Sequence, residues 1–128
     1  MSLSESTPES PNERACVVFD ERLTEYNFGT SHPMAPVRVK LTIDLARDLD
    51  IVKDLDIVQA LPATEDELAT VHSPKYIEQV MHLSKHPIHA EPTAGLGTED
   101  NPAFEHMHEA SALIAGASLE AAKLVWTG

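Results

Sequence analysis

Cysteine is nearly absent from this 128-residue chain: Cys16 is the single one, which rules out an intramolecular disulfide and a thiolate metal cluster. Aromatics are also few, with three Phe, two Tyr and one Trp. A core must therefore be mostly aliphatic and alanine-rich, and 42% apolar residues supply enough material for one. Basic side chains are scarce, 9 against 21 acidic ones, for a net charge of −12 with histidines neutral. Nucleic-acid binding needs clustered Lys and Arg to neutralise phosphates, so the balance argues against it. No apolar run approaches the roughly 18 residues of a membrane span, so no membrane partner is expected. The opening MSLSESTPESPNER lacks the apolar stretch of a secretory signal. Its Ser, Glu and Pro content predicts a flexible tail over residues 1–14. Length and acidity together fit one soluble, cytoplasmic domain. Also missing are a Gly-rich phosphate loop, G-x-S-x-G, H-E-x-x-H and an Asp-x-His pair.

What is present is an alternation of strands and helices. Residues 15–19 (ACVVF) are short, apolar and β-branched, which predicts a buried strand. A loop follows, broken by Gly29 and Pro33, and Pro36 suits the first turn of a helix over residues 37–49. On that helix Val37, Leu41, Leu45 and Leu49 fall along one side, widened by Val39, Ile43 and Ala46. So thin a polar face predicts a helix covered over most of its surface. Residues 57–61 (IVQAL) read as a second strand. Thr64 and Glu67 form a capping box opening a short helix, and Ser73-Pro74 restarts it to about Ser84. Residues 85–102 have no period and read as a long loop. Asn101-Pro102 is a further N-cap and N1 pair, predicting a last helix from about Ala103 to Trp126. Strand, helix, strand, helices is the start of an α/β parallel sheet. Because a third strand should follow the long last helix, the chain is expected to be a truncated domain.

Three features invite chemistry. His82, His86 and His89 are spaced i, i+4, i+7, but Pro87 breaks the helix after His86 and no acidic partner is evident. A polar surface loop is the simpler account, and no metal ligand is assigned. Arg38 projects near the middle of the apolar arc of its helix. A snorkelling side chain explains it as well as an internal polar channel or an anion site does, and sequence physics leaves both open. Asp100 precedes the last helix, where a carboxylate is favourable for electrostatic reasons alone.

Three segments settle more: FGTSHPMAPVRVKLT, ATEDELATVHSPKYI and GLGTEDNPAFEHMHEASALIAGAS. Their aromatic-Gly-x-x-His-Pro-x-x-Pro-x-Arg run, and His-Ser-x-x-Tyr-Ile followed by Gly-x-x-x-Asp-x-Pro, resemble the N-terminal part of the histone deacetylase superfamily. The resemblance is in particular to the bacterial acetoin-utilization deacetylases. The resemblance covers about residues 15–128, roughly the first third of a family member. It implies an open, mainly parallel sheet with helices on both sides, of the arginase/deacetylase type. It implies hydrolysis of an acyl amide, usually acetyl-lysine, with zinc or iron held by Asp, His and Asp to polarise the carbonyl and activate water. A histidine pair handles protons and a tyrosine helps bind the oxyanion.

In the family those catalytic residues lie beyond the last helix seen here. No catalytic residue and no metal ligand is therefore expected in this chain, and the chain alone is expected to be inactive. The resemblance carries over four positions. Phe28, Met34 and Arg38 match the internal acetate channel, and Asp100 matches the rim carboxylate that holds the substrate's backbone amides. Phe28 stands where many eukaryotic members have tyrosine, and Ala35 where class I members have an inositol-phosphate-binding lysine. His72 matches a recurring histidine read as structural. A non-catalytic binding module is the competing expectation. A truncated half-sheet exposes apolar area and an unpaired strand edge and should self-associate, whereas a well-behaved monomer would favour the module.

Overall fold

The computed structural model describes residues 15–90 and 94–127, so the expected tail at residues 1–14 lies outside it. Two strands, β1 (Val17–Val18) and β2 (Ile57–Val58), pair in parallel with Val17 opposite Ile57. The Phe19 N–H donates to the Val58 carbonyl at 2.9 Å and extends the ladder by one bond. Both strands are shorter than ACVVF and IVQAL predict. Past Phe19 and Val58 the backbone and side chains find other partners. Asp20 caps a 3-10 turn (Glu21–Thr24), and the Ala60 carbonyl accepts from the Arg22 guanidinium at 3.3 Å. The Ala63 N–H donates to the Ala112 carbonyl at 2.8 Å.

The chain crosses between the strands through α1 (Val37–Asp48). An i,i+4 pair, Lys40 Nζ to Asp44 at 2.9 Å, supports it, and Asp50 in the left-handed region (φ 54°) follows its end. The expectation that α1 is covered over most of its surface is overturned, because none of its residues is buried. Leu41, Leu45 and Leu49 are 59–60% exposed. The cause is a shortage of partners. Helix α1 is held mainly by the 3-10 turn and by Arg47, which lies over the Phe19 ring and pairs with Glu21 and Asp54.

The second half is packed differently. Helix α2 (Glu65–Ala69) opens on the expected capping box: Thr64 Oγ1 accepts from the Glu67 N–H at 3.2 Å, and the Glu67 carboxylate accepts from the Thr64 N–H at 2.9 Å. The Thr64 N–H and, at 3.1 Å, the Thr64 hydroxyl both donate to the Glu67 carboxylate and hold it below its ordinary pKa. Helix α3 (Pro74–Lys85) starts on Ser73, whose hydroxyl accepts from the Tyr76 N–H. It packs against α4 (Met107–Thr127), and Leu83, Leu96 and Met107 form the buried centre. Gly116 lets α4 sit on the turn after β2. A Cβ there would lie 1.8 Å from the Leu61 carbonyl oxygen and 2.6 Å from the Ala63 nitrogen.

Helix α4 begins at Met107, not near Ala103 as Asn101-Pro102 predicts. His106 has φ 63°, and its N–H donates to the Ser84 carbonyl at 3.1 Å. The Ser84 hydroxyl then accepts from the His108 N–H and donates to Glu109 at 2.7 Å, which lowers the Glu109 pKa. The end of α3 thus fixes the start of α4. Among the described residues no helix is long and apolar enough to cross a membrane.

Candidate functional site

Two loops, residues 27–36 and 94–106, meet beside the N-terminal half of α4. Gly29 (φ 95°) makes the first of them turn, with its N–H donating to Asn27 Oδ1 at 2.9 Å. Two residues before Met34, the His32 Nδ1 accepts the Met34 N–H at 3.1 Å. Accepting there leaves Nε2 to carry the ring proton in the neutral side chain. The His32 ring meets Phe28 edge-on at 4.8 Å. Phe28 also meets Phe104 edge-on at 5.3 Å, and Phe104 packs on the Leu83–Leu96–Met107 centre. Edge-to-face geometry at these distances is attractive. Phe28 is therefore anchored to the folded core rather than to α1.

Phe28 is the wall between two open hollows. On one side lies an apolar cavity of about 420 Å³, lined by Phe28 and Met34 with Tyr26, Phe104 and Ile114. On the other lies a more polar one of about 520 Å³, lined by Phe28 with Asp100, Glu99 and His32. Arg38 lines neither. Its Nε donates to the Ala35 carbonyl at 3.3 Å, and its terminal nitrogen lies 3.4 Å from Met34 Sδ. Arg38 and Asp100 are both exposed. The structure thus brings Phe28 and Met34 into one cavity wall, places Arg38 against Met34, and sets Asp100 in the adjoining hollow. It does not bring Asp100 and Arg38 together. His72, read as structural, is exposed with its ring 5.5 Å from Tyr76.

Two positioning residues escape the sequence reading. Asn101 reads as a helix N-cap, yet its side chain donates to the Gly95 carbonyl at 2.7 Å and its carbonyl accepts the Gly97 N–H at 2.8 Å. It closes the loop that carries Asp100. Both glycines have positive φ, 73° and 80°, and a Cβ on Gly97 would meet that of Ala90. The signal was available in Gly95-x-Gly97 ahead of Asn101, since paired glycines mark tight backbone turns. The second is Asp20, 7% exposed at the end of β1. Arg22 grips it with Nε at 2.8 Å and a terminal nitrogen at 2.7 Å. That fork holds the Asp20 carboxyl well below the usual carboxylate range.

Comparison with known proteins bears on the family and the fold. The histone deacetylase domain model matches residues 32–128. The acetoin utilization protein AcuC of Staphylococcus aureus is 37% identical over 118 residues, which is 90% of this chain and 30% of that protein. AcuC of Bacillus subtilis is 39% identical over 113 residues, 87% of this chain and 29% of that protein. The chain thus spans under a third of the length of the curated relatives it matches. Among solved structures, an HDAC homologue crystallised with SAHA superposes with a TM-score of 0.75 over 87% of this chain and 31% of its own. At 22% identity that likeness speaks for the fold alone, and it agrees with the parallel strands flanked by helices.

Proposed function

The chain belongs to the histone deacetylase family, and on that premise we propose that it forms the acetate-side part of a metal-dependent acetyl-lysine deacetylase of the acetoin-utilization type. The observation that carries this is the placement of Phe28 and Met34 on one apolar wall, with the Arg38 guanidinium against the Met34 sulfur. In a domain of the relatives' length, Arg38 receives the carboxylate of the released acetate, which a planar guanidinium binds with two parallel N–H donors. Phe28 and Met34 exclude water from the path to it. Asp100, in the hollow across Phe28, accepts hydrogen bonds from the substrate's backbone amides.

Zinc or iron is the cofactor of this reading and would supply carbonyl polarisation. Among the described residues no group of three His, Cys, Asp or Glu side chains is arranged to hold a metal, so they do not fit that centre. What they do is bind and orient. A cytoplasmic location and acetylated lysine as substrate belong to the same proposal. The test uses the chain extended to the length of its relatives. Asp100→Ala should raise KM for an acetylated peptide about tenfold or more with a smaller change in kcat. An unchanged KM would remove Asp100 from substrate binding.

The exposed face of α1 favours a second reading, self-association of this chain through that face. Sedimentation of the 128-residue chain should then show a concentration-dependent dimer that Leu45→Glu disperses. A monomer at every concentration counts against it.

A further inference from the structure

The three histidines left aside as a polar loop lie side by side. Helix α3 ends at Lys85, His86 is its C-cap, and a 3-10 turn (Pro87–His89) follows at once. Pro87 does break the helix, as the sequence predicts. The break turns the chain back, however, so that His89 faces the two histidines before it. The His82 and His86 ring centroids are 5.1 Å apart, His86 and His89 5.4 Å, and His82 and His89 5.9 Å. The turn is fixed by backbone bonds: the His86 N–H donates to the His82 carbonyl at 3.0 Å, and the His89 N–H to the His86 carbonyl at 3.0 Å.

Metal geometry supplies a yardstick. A zinc-to-nitrogen bond of about 2.0–2.1 Å puts each imidazole centroid about 3.2 Å from the ion, and a tetrahedral angle then puts the centroids about 5.2 Å apart. The three observed separations already lie close to that value. His89 stacks on the other two rings at 23° and 26°, and His82 and His86 are tilted at 48°, so the site is not preformed. All three side chains are exposed, and exposed side chains change rotamer in picoseconds to nanoseconds. The position favours a cation as well, at the negative end of a twelve-residue helix on a chain of net charge −12.

We propose that His82, His86 and His89 form a three-imidazole site for a borderline divalent transition-metal ion of the zinc class, assembled when the ion binds. Imidazole suits zinc, copper and nickel and leaves magnesium and calcium to oxygen donors. A water completes the fourth position. The site belongs to the surface turn after α3 and is separate from the Phe28–Met34 wall.

The test is calorimetric titration of Zn(II) into the untagged, chelator-stripped 128-residue chain, with histidine side-chain NMR alongside. One equivalent should bind and shift the His82, His86 and His89 resonances together. His82→Ala, His86→Ala and His89→Ala should each weaken binding about tenfold or more. His72→Ala, an exposed histidine outside the turn, should change nothing. Magnesium should not compete. The proposal is overturned if zinc fails to bind, binds only adventitiously at millimolar concentration, or binds the three variants as tightly as the parent.

Discussion

Helices α1 and α4 differ more in their surroundings than in their residues. Both carry leucine, isoleucine and valine at helical spacing. Yet Met107, Ala112, Leu113 and Gly116 of α4 are buried, while α1 buries none of its residues. Helix α4 has α3 and the turn after β2 to lie on, and Gly116 lets it approach that turn's backbone. Among the described residues, helix α1 has mainly the short 3-10 turn and the Arg47 contacts. Periodicity tells which side of a helix is apolar. It does not tell whether anything lies against that side, because coverage depends on partner surface.

The comparison can be pressed by mutation, beginning where α4 is tightest. Gly116→Ala should cost about 3 kcal/mol of unfolding free energy by denaturant titration, since the new methyl meets backbone that cannot swing aside. A loss under about 0.5 kcal/mol would mean that α4 sits further from the turn than described. In the α3–α4 centre, Leu83→Ala should cost about 2.5 kcal/mol through lost burial and a residual cavity.

Nearer α1 the effects shrink. Asp20→Asn should cost about 1–2 kcal/mol at neutral pH by weakening the Arg22 fork. A carboxyl whose folded pKa is depressed stabilises the fold above its unfolded value and loses that contribution as pH falls toward the folded one. The gap between parent and Asp20→Asn should therefore be constant above about pH 5 and narrow from about pH 4 downward. A gap that widens on acidification would contradict the pairing. On α1 itself, Leu45→Ala should change stability by under about 0.5 kcal/mol in the 128-residue chain. A cost near that of Leu83→Ala would show that the α1 face is covered after all.

Local chemistry was the most legible part of the sequence. The Thr64–Glu67 box and the Ser73-Pro74 start are complete within four residues, and both helices begin where those signals put them. Strand pairing was legible in kind but not in length. Where β1 ends is decided by Asp20 meeting Arg22, and where β2 ends by partners on α4 and in the 3-10 turn. The start of α4 was misread because Asn101 serves the loop glycines, a choice set by the left-handed backbone at Gly95 and Gly97. In the candidate site, Phe28 and Met34 do share a wall, whereas Arg38, on the apolar arc of α1, is exposed for want of neighbours. The proximity of His89 to His82 and His86 was hidden by Pro87, which reads as a terminator in sequence and acts as a turn in space.

The central claim is that these residues serve a deacetylase from its acetate side. Metal-dependent acetate release from an acetyl-lysine peptide tests it most directly, with the 128-residue chain, a chain extended to the relatives' length, and Arg38→Ala in the extended chain assayed together. The extended chain should turn over with zinc or iron, Arg38→Ala should lower its kcat about tenfold or more, and the 128-residue chain should release no acetate. Metal-dependent release by the 128-residue chain, lost on Asp100→Ala, would contradict the account, as would full activity in Arg38→Ala.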